Sequence, residues 1–196
     1  MNLKNFLFIF LSFLTLQEGL YANQKDINFL ELSKNCNQCD SKTKNLSGLI
    51  YPYLVFDNSD LNGVNIKNGY LFSSSLRNSD LSNSYLISIN LSGSYLSKTN
   101  FYKANLEGAN LSYSTCVGTN FKNANLIRTR LDETNMFNSN FYKANLSKSN
   151  LTFANLSKSN LKFSKLINSN LEEANLSDSN LSYANLNGSN LQAATL

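Results

Sequence analysis

Two cysteines, Cys36 and Cys39, have a spacing that could serve redox or metal chemistry. A redox Cys-x-x-Cys motif is expected beside a βαβ unit, and the sequence shows no such pattern. A zinc site would need two further ligands, yet the chain has no His and its one other cysteine is Cys116. A structural disulfide in an oxidising compartment and a pair of buried thiols both remain open. We favour the disulfide, and we expect Cys116 to fill the core.

Lysine and aromatic residues form a second group with chemical potential, because rings and cations together can bind anionic or sugar-bearing partners. Eight of them recur at intervals of about twenty, directly after Phe101, Phe121, Phe141, Leu161 and Leu181, and would share one face of a coil with that period. They are Tyr102, Lys103, Lys122, Tyr142, Lys143, Lys162, Phe163 and Tyr183. A passive role, in which these side chains only solubilise the surface, is the alternative interpretation.

A repeat of five residues must position these groups. From Leu61 to Leu196 every fifth residue is large and apolar, with Cys116 as the exception among 28 positions. A small residue usually stands two places earlier, and Asn or Asp most often lies between them, as in Ala104-Asn105-Leu106. Neither a helix nor a strand has a period of five. The chain must therefore bend once per repeat.

A narrow solenoid satisfies this pattern. The small and the large residue point inward with strand alternation, and the other two residues of each unit turn a corner with their side chains in solvent. Phe101, Phe121 and Phe141 recur at intervals of twenty, and rings stack well on rings directly above them. Twenty residues per coil predict an all-β, four-sided coil whose stability grows with stacking.

The Ala-Asn-Leu-x-x pattern resembles the pentapeptide-repeat family. The resemblance covers residues 35–196 and implies a right-handed quadrilateral β-helix, here of about eight coils. The Cys36-Asn37-Gln38-Cys39-Asp40 segment is similar to the entry into the repeats of many family members. Family members often pair through their C-terminal end, which implies a possible homodimer joined by the last coil.

The N-terminal segments differ from the repeats. Residues 1–22 combine Lys4, an apolar run and the small Ala22, which is the pattern of a signal peptide. The apolar run is short for a membrane span, so an uncleaved anchor is the less favoured alternative. We expect export to the periplasm or beyond and no stable span after cleavage. Residues 23–34 are predicted to form a short helical cap over the first coil.

Residues 46–58 fit the repeat poorly. Leu49 and Leu54 stand where small residues belong, and Pro52 removes a backbone donor. We therefore expect an irregular or bulged coil there, or a loop.

The function classes follow from these observations. With no His and no charged or Cys–His pair at the inward positions from residue 59 onward, we expect no enzyme, no metal and no cofactor. Some pentapeptide-repeat proteins mimic DNA and act on type II topoisomerases, but that role needs an acidic, cytoplasmic rod, and this chain carries a formal charge of +4. The same charge is small for nucleic-acid binding. We expect a non-enzymatic exported scaffold with a protein, glycan or envelope partner.

Overall fold

The computed structural model describes residues 45–196, which form a continuous β-helix of about seven and a half coils. Every fifth residue from Asn45 to Thr195 makes a parallel bridge to the residue twenty positions away, as in Asn100↔Asn120 and Asn120↔Asn140. Each strand is thus a single bridged residue, and these residues contain no helix. Four bridges per twenty residues give a coil with four sides, as the sequence predicts.

The corners are tight turns of one type. In most repeats the N–H of the small residue bonds to the C=O of the large residue three places earlier, as in Ala124 N to Phe121 O at 3.0 Å. The N–H groups of Leu54, Ser59 and Ser74 donate to a serine hydroxyl of the next coil. The second corner residue has a positive φ in every repeat from Gly48 to Ala193. A positive φ at the third of four residues is what a type II turn requires, so the two corner positions are not equivalent.

The two corner positions also differ in the residue types that occupy them, which the five-residue repeat pattern alone did not show. All six glycines with positive φ occupy the second corner position, while the branched residues Ile87, Val117, Ile127, Thr152 and Ile167 all stand at the first. A branched side chain is a marked outlier at positive φ. Steric exclusion at the second corner position therefore shapes the surface composition.

Lys98→Val tests this asymmetry against Ser97→Val in the same turn. Lys98 has φ of 59°, a region in which a β-branched residue is a marked outlier, so the valine variant is expected to lose more than about 1 kcal/mol of unfolding free energy. Ser97→Val, at the first corner position, should change stability by less than about 0.5 kcal/mol. Urea denaturation followed by circular dichroism measures both. Equal losses in the two variants would contradict the turn assignment.

The interior is a filled tube. The large residues from Phe56 to Leu176 are at most 1% exposed, and the small residues between them are buried as well. Phe101 stacks on Phe121 with centroids 5.2 Å apart, and Phe121 on Phe141 at 4.9 Å. The predicted ladder of rings is confirmed.

Polar side chains tie the coils together on both sides of the wall. Inside, threonine hydroxyls donate to a carbonyl of the preceding coil, as Thr119 Oγ1 does to Leu96 O at 2.7 Å. Outside, an asparagine amide donates to the asparagine below it, as Asn120 Nδ2 does to Asn100 Oδ1 at 2.8 Å. The same Asn120 accepts the backbone N–H of Lys122 two residues on. These ladders satisfy polar groups that a narrow tube would otherwise leave unpaired.

The expected irregularity at residues 46–58 is wrong. The bridges Ile50↔Tyr70 and Val55↔Ser75 keep the regular register, and Tyr53 has the usual φ of 60°. Leu49 and Leu54 are buried, and the equivalent positions of the next coil hold the small residues Gly69 and Ser74.

Two further features explain the regular course of this coil. Tyr51 is only partly buried, so the tube is not overfilled. Pro52 occupies the first corner position, where a type II turn favours proline.

The predicted signal peptide of residues 1–22, the helical cap of residues 23–34 and the pair Cys36 and Cys39 lie outside the described residues. Their assignments remain predictions. At the other end, the coil formed by the last twenty residues buries its apolar side chains only partly, and Leu196 is 76% exposed.

Candidate functional site

The corner residues that follow the phenylalanine ladder form one surface, which we call the Lys/Tyr face. It comprises Tyr102, Lys103, Lys122, Tyr142, Lys143, Lys162, Phe163 and Tyr183. Backbone hydrogen bonds stack these turns directly on one another, as Lys103 N donates to Lys122 O and Lys143 N to Lys162 O, both at 3.1 Å. The side chains therefore project from a rigid wall.

Most of these side chains are linked by contacts between ammonium groups and rings. Lys122 Nζ lies 5.5 Å from the centroid of the Tyr142 ring, and Lys143 Nζ lies 5.3 Å from the same centroid. Lys143 also lies 6.0 Å from the Phe163 ring, which Lys162 approaches to 5.3 Å. Two rings thus connect three cations in a continuous series.

The rings also contact each other at the upper end of the face. Tyr142 meets Phe163 edge to face with centroids 5.8 Å apart, and Phe163 stacks on Tyr183 at 5.0 Å. At the lower end Lys103 lies 5.2 Å from the centroid of its neighbour Tyr102. Tyr102 and Lys103 join the others through the stacked turns and not through a ring contact. All eight residues thus lie on one face of the rod.

The lysines of this face have no carboxylate partner. Among residues 45–196 the recorded ion pairs join arginines to acids, namely Arg77–Asp57, Arg128–Glu107 and Arg130–Asp132. No acidic residue occupies a corner position of this face between residues 102 and 183. The positive charge of the face is therefore not neutralised by neighbouring side chains of the described coils.

The opposite wall is acidic, but less so than its corner residues suggest. Asp132, Glu133, Glu172 and Glu173 line it, and the charge of Glu133 raises the pKa of Tyr113. However, the Arg130 guanidinium lies 3.3 Å from the Asp132 carboxylate. The basic wall thus carries more uncompensated charge than the acidic wall does.

One class of contact was missed from the sequence. Arg77 lies 4.3 Å from the centroid of the Tyr95 ring, although Tyr95 is separated from it by 18 residues. The same separation joins Ser75 to Asp57 and Asn170 to Thr152. It brings the first corner residue of one coil against the bridged residue of the next. An interval of 18 in the sequence is the signal that could have predicted these contacts.

No further chemistry is visible in the described coils. Cys116 is fully buried, and burial raises the pKa of its thiol to about 12, so it is an inert core residue. Residues 45–196 hold no cluster of three or more potential metal ligands. No helix within these residues is long and apolar enough to cross a membrane.

Comparison with known proteins agrees with the fold. The family described as "Pentapeptide repeats (8 copies)" matches residues 74–112, 114–152 and 154–192. The chain belongs to the pentapeptide repeat family, and its fold is the right-handed β-helix of that family. No match was found among curated proteins.

Solved structures similar to this chain are also pentapeptide repeat proteins. QnrB1, a plasmid-mediated fluoroquinolone resistance protein, superposes with a TM-score of 0.67 at 18% identity, over 81% of this chain and 88% of QnrB1. A pentapeptide repeat protein of the Arabidopsis thaliana thylakoid lumen is 26% identical over 59% of this chain and 66% of its own, with a TM-score of 0.45. HetL of the cyanobacterium Nostoc, involved in heterocyst differentiation regulation, is 21% identical over 90% of this chain and 95% of its own, with a TM-score of 0.36.

Proposed function

We propose that this protein is a non-enzymatic, exported interaction scaffold and that the Lys/Tyr face is the surface it presents to its partner. Its core is a packed stack of apolar and small side chains. Its threonine and asparagine side chains form hydrogen bonds between coils. Binding through the outer wall is the activity that such a rod supports best. The partner is a protein, a glycan or another component of the cell envelope.

One observation supports this proposal most strongly. Four lysines are held on one wall, three of them against exposed or half-buried aromatic rings in a linked series, and none has an ion-pair partner among residues 45–196. Solubility needs only scattered charge. Cations that are aligned, ordered by rings and left without counter-charges are typical of a binding surface for anions.

The alternative, a DNA-mimicking protein that acts on a topoisomerase, has less support. Mimicry of DNA requires dense, regular negative charge, whereas this chain has 17 basic and 13 acidic residues. The likeness to QnrB1, at 18% identity, concerns the fold. Association of two copies through the C-terminal coil stays a prediction, to be tested by sedimentation.

Two measurements test the proposal. Fractionation of cells that express the full chain, with N-terminal sequencing of the recovered protein, should find it outside the cytoplasm and shortened near Ala22. Pull-down from envelope material should recover a partner with the wild-type chain, and this partner should be lost when Lys103, Lys122, Lys143 and Lys162 are replaced by Glu. A cytoplasmic location would refute export, and an unchanged set of partners would refute a role for the face.

A further inference from the structure

We propose that the Lys/Tyr face binds the acidic wall of a second copy of this chain, so that rods associate side by side in a row. This inference rests on the proposed function, because it names the partner of the same face. It depends on where the two surfaces lie on one rod and on the interval at which their side chains recur.

The two surfaces lie half a turn apart on the same coils. Ten residues, half of a twenty-residue coil, separate Lys103 from Tyr113 and Lys143 from Phe153. The Lys/Tyr face and the acidic wall therefore point in opposite directions. When two rods lie parallel, the Lys/Tyr face of one can contact the acidic wall of the other.

The charges of the two surfaces recur at a common interval. Lys122 and Lys162 are forty residues apart, and so are Glu133 and Glu173. In the register that pairs Lys122 with Glu133, Lys162 therefore meets Glu173 two coils further on. One sideways contact thus brings both cations against carboxylates.

Exposed rings alternate with these carboxylates. Lys103 and Lys143 are also forty residues apart, as are Tyr113 and Phe153. The same register therefore places these two lysines against the two rings, which are 59% and 53% exposed. An ammonium group over an exposed ring is attracted by it, so each of the four lysines meets a favourable group.

The carboxylates of this contact are available for it. The ion pairs among residues 45–196 involve other acids, so Glu133 and Glu173 have no cationic partner there. Asp132 is already paired with Arg130 and is not part of the contact. A hydrogen bond from Tyr113 leaves the charge of Glu133 in place. Uncompensated positive charge on one side of the rod is thus matched by free carboxylates on the other.

A second copy also matches the rod in spacing. The stacked rings of Phe101, Phe121 and Phe141 are 5.2 and 4.9 Å apart, which gives the scale of one coil. Two copies have the same spacing, so their side chains stay in register along the whole contact. An extended acidic peptide, with about 6.6 Å between side chains on one face, falls out of register.

The charges also decide the symmetry of the assembly. A two-fold dimer through the Lys/Tyr face would place lysines against lysines, which is repulsive. The contact therefore joins two different surfaces and leaves one of each free, so further copies can add to an open row. Narrow rods share a small interface, and small interfaces give weak association. We expect the row at high protein concentration and low salt.

Sedimentation velocity of the full chain over a range of concentrations tests the proposal. At an ionic strength of about 0.01 M, where the Debye length is about 30 Å, the sedimentation coefficient should rise with concentration. At about 1 M, where the Debye length is about 3 Å, the chain should sediment as a monomer. Association that resists salt would indicate contact through the C-terminal coil and would overturn the inference.

Two charge-reversal variants and a control assign the contact. The face variant carries Lys122→Glu and Lys162→Glu, the wall variant Glu133→Lys and Glu173→Lys, and the control Lys148→Glu and Lys158→Glu on other corners. The fold already holds Glu107 at a first corner position and Lys143 at a second, so these variants should fold.

Each of the first two variants alone should need at least about tenfold more protein to associate, because like charges then meet. An equal mixture of the two should associate again, since it restores opposite charges across the contact, and the control should behave as wild type. No recovery in the mixture, or an equal loss in the control, would overturn the inference. If the wild-type chain stays monomeric while envelope capture still depends on the face lysines, the proposed function stands and only the second copy as partner falls.

Discussion

Replacement of Phe121 by alanine is expected to lower the free energy of unfolding by about 3–5 kcal/mol. Phe121 is fully buried between Phe101 and Phe141, with centroid distances of 5.2 and 4.9 Å. The change removes both ring contacts and leaves a cavity that the neighbouring rings cannot fill, because backbone hydrogen bonds fix the coils above and below.

The matched control is Phe121→Leu. Leucine occupies the equivalent position at Leu81 and Leu161 of the same column, so this variant should lose less than about 1.5 kcal/mol. Guanidinium denaturation monitored by circular dichroism measures both variants. Similar losses for alanine and leucine would contradict this prediction, because they would assign the lost stability to the ring contacts and not to the apolar volume that leucine keeps.

Leu126→Asp is expected to have an even larger effect. Leu126 is fully buried near the middle of the rod, and a carboxylate there has no cation within the described tube to pair with. Burying an isolated charge costs several kcal/mol even after relaxation. Because each coil contacts only its neighbours, we expect the central coils to lose their protection from hydrogen exchange at pH 7.

Asparagine has nearly the same shape as aspartate but carries no charge, so Leu126→Asn separates the effect of the charge from that of the lost apolar volume. Leu126→Met reports the effect of packing alone. Burial raises the pKa of a carboxyl group, so the folded Asp variant binds its proton more tightly than the unfolded chain does. Its stability should therefore be highest below about pH 4, the ordinary range of aspartate, and fall as the pH rises. Equal stabilities of the Asp and Asn variants at pH 7 would contradict a dry, unpaired interior.

The repeat pattern was sufficient to predict the four-sided β-helix and the ring ladder. The period of five requires one bend per unit, and the interval of twenty between Phe101, Phe121 and Phe141 sets four units per coil. The same register predicted which corner residues share a wall. The sequence predicts these properties because each coil contacts only its immediate neighbours, so the position of a residue in the repeat determines its position in the coil.

The coil at residues 46–58 shows where sequence reasoning failed. Leu49 and Leu54 looked too large for their positions when only their own coil was considered. The next coil holds the small residues Gly69 and Ser74 at the equivalent positions, and Pro52 is accommodated because its turn places it at the first corner position. Compensation across coils is not visible in a single repeat unit.

The sequence by itself determined the period, the core positions and the grouping of Lys122, Tyr142, Lys143, Lys162 and Phe163 on one wall. Only the tertiary structure decided which of these side chains touch and which charges are neutralised. Side-chain directions depend on the positive φ at the second corner position, and pairings such as Arg130 with Asp132 and Lys143 with two rings depend on distances of a few ångströms. The repeat determines the wall on which the backbone of each residue lies, and the packing of the long, flexible side chains determines where their charged groups lie.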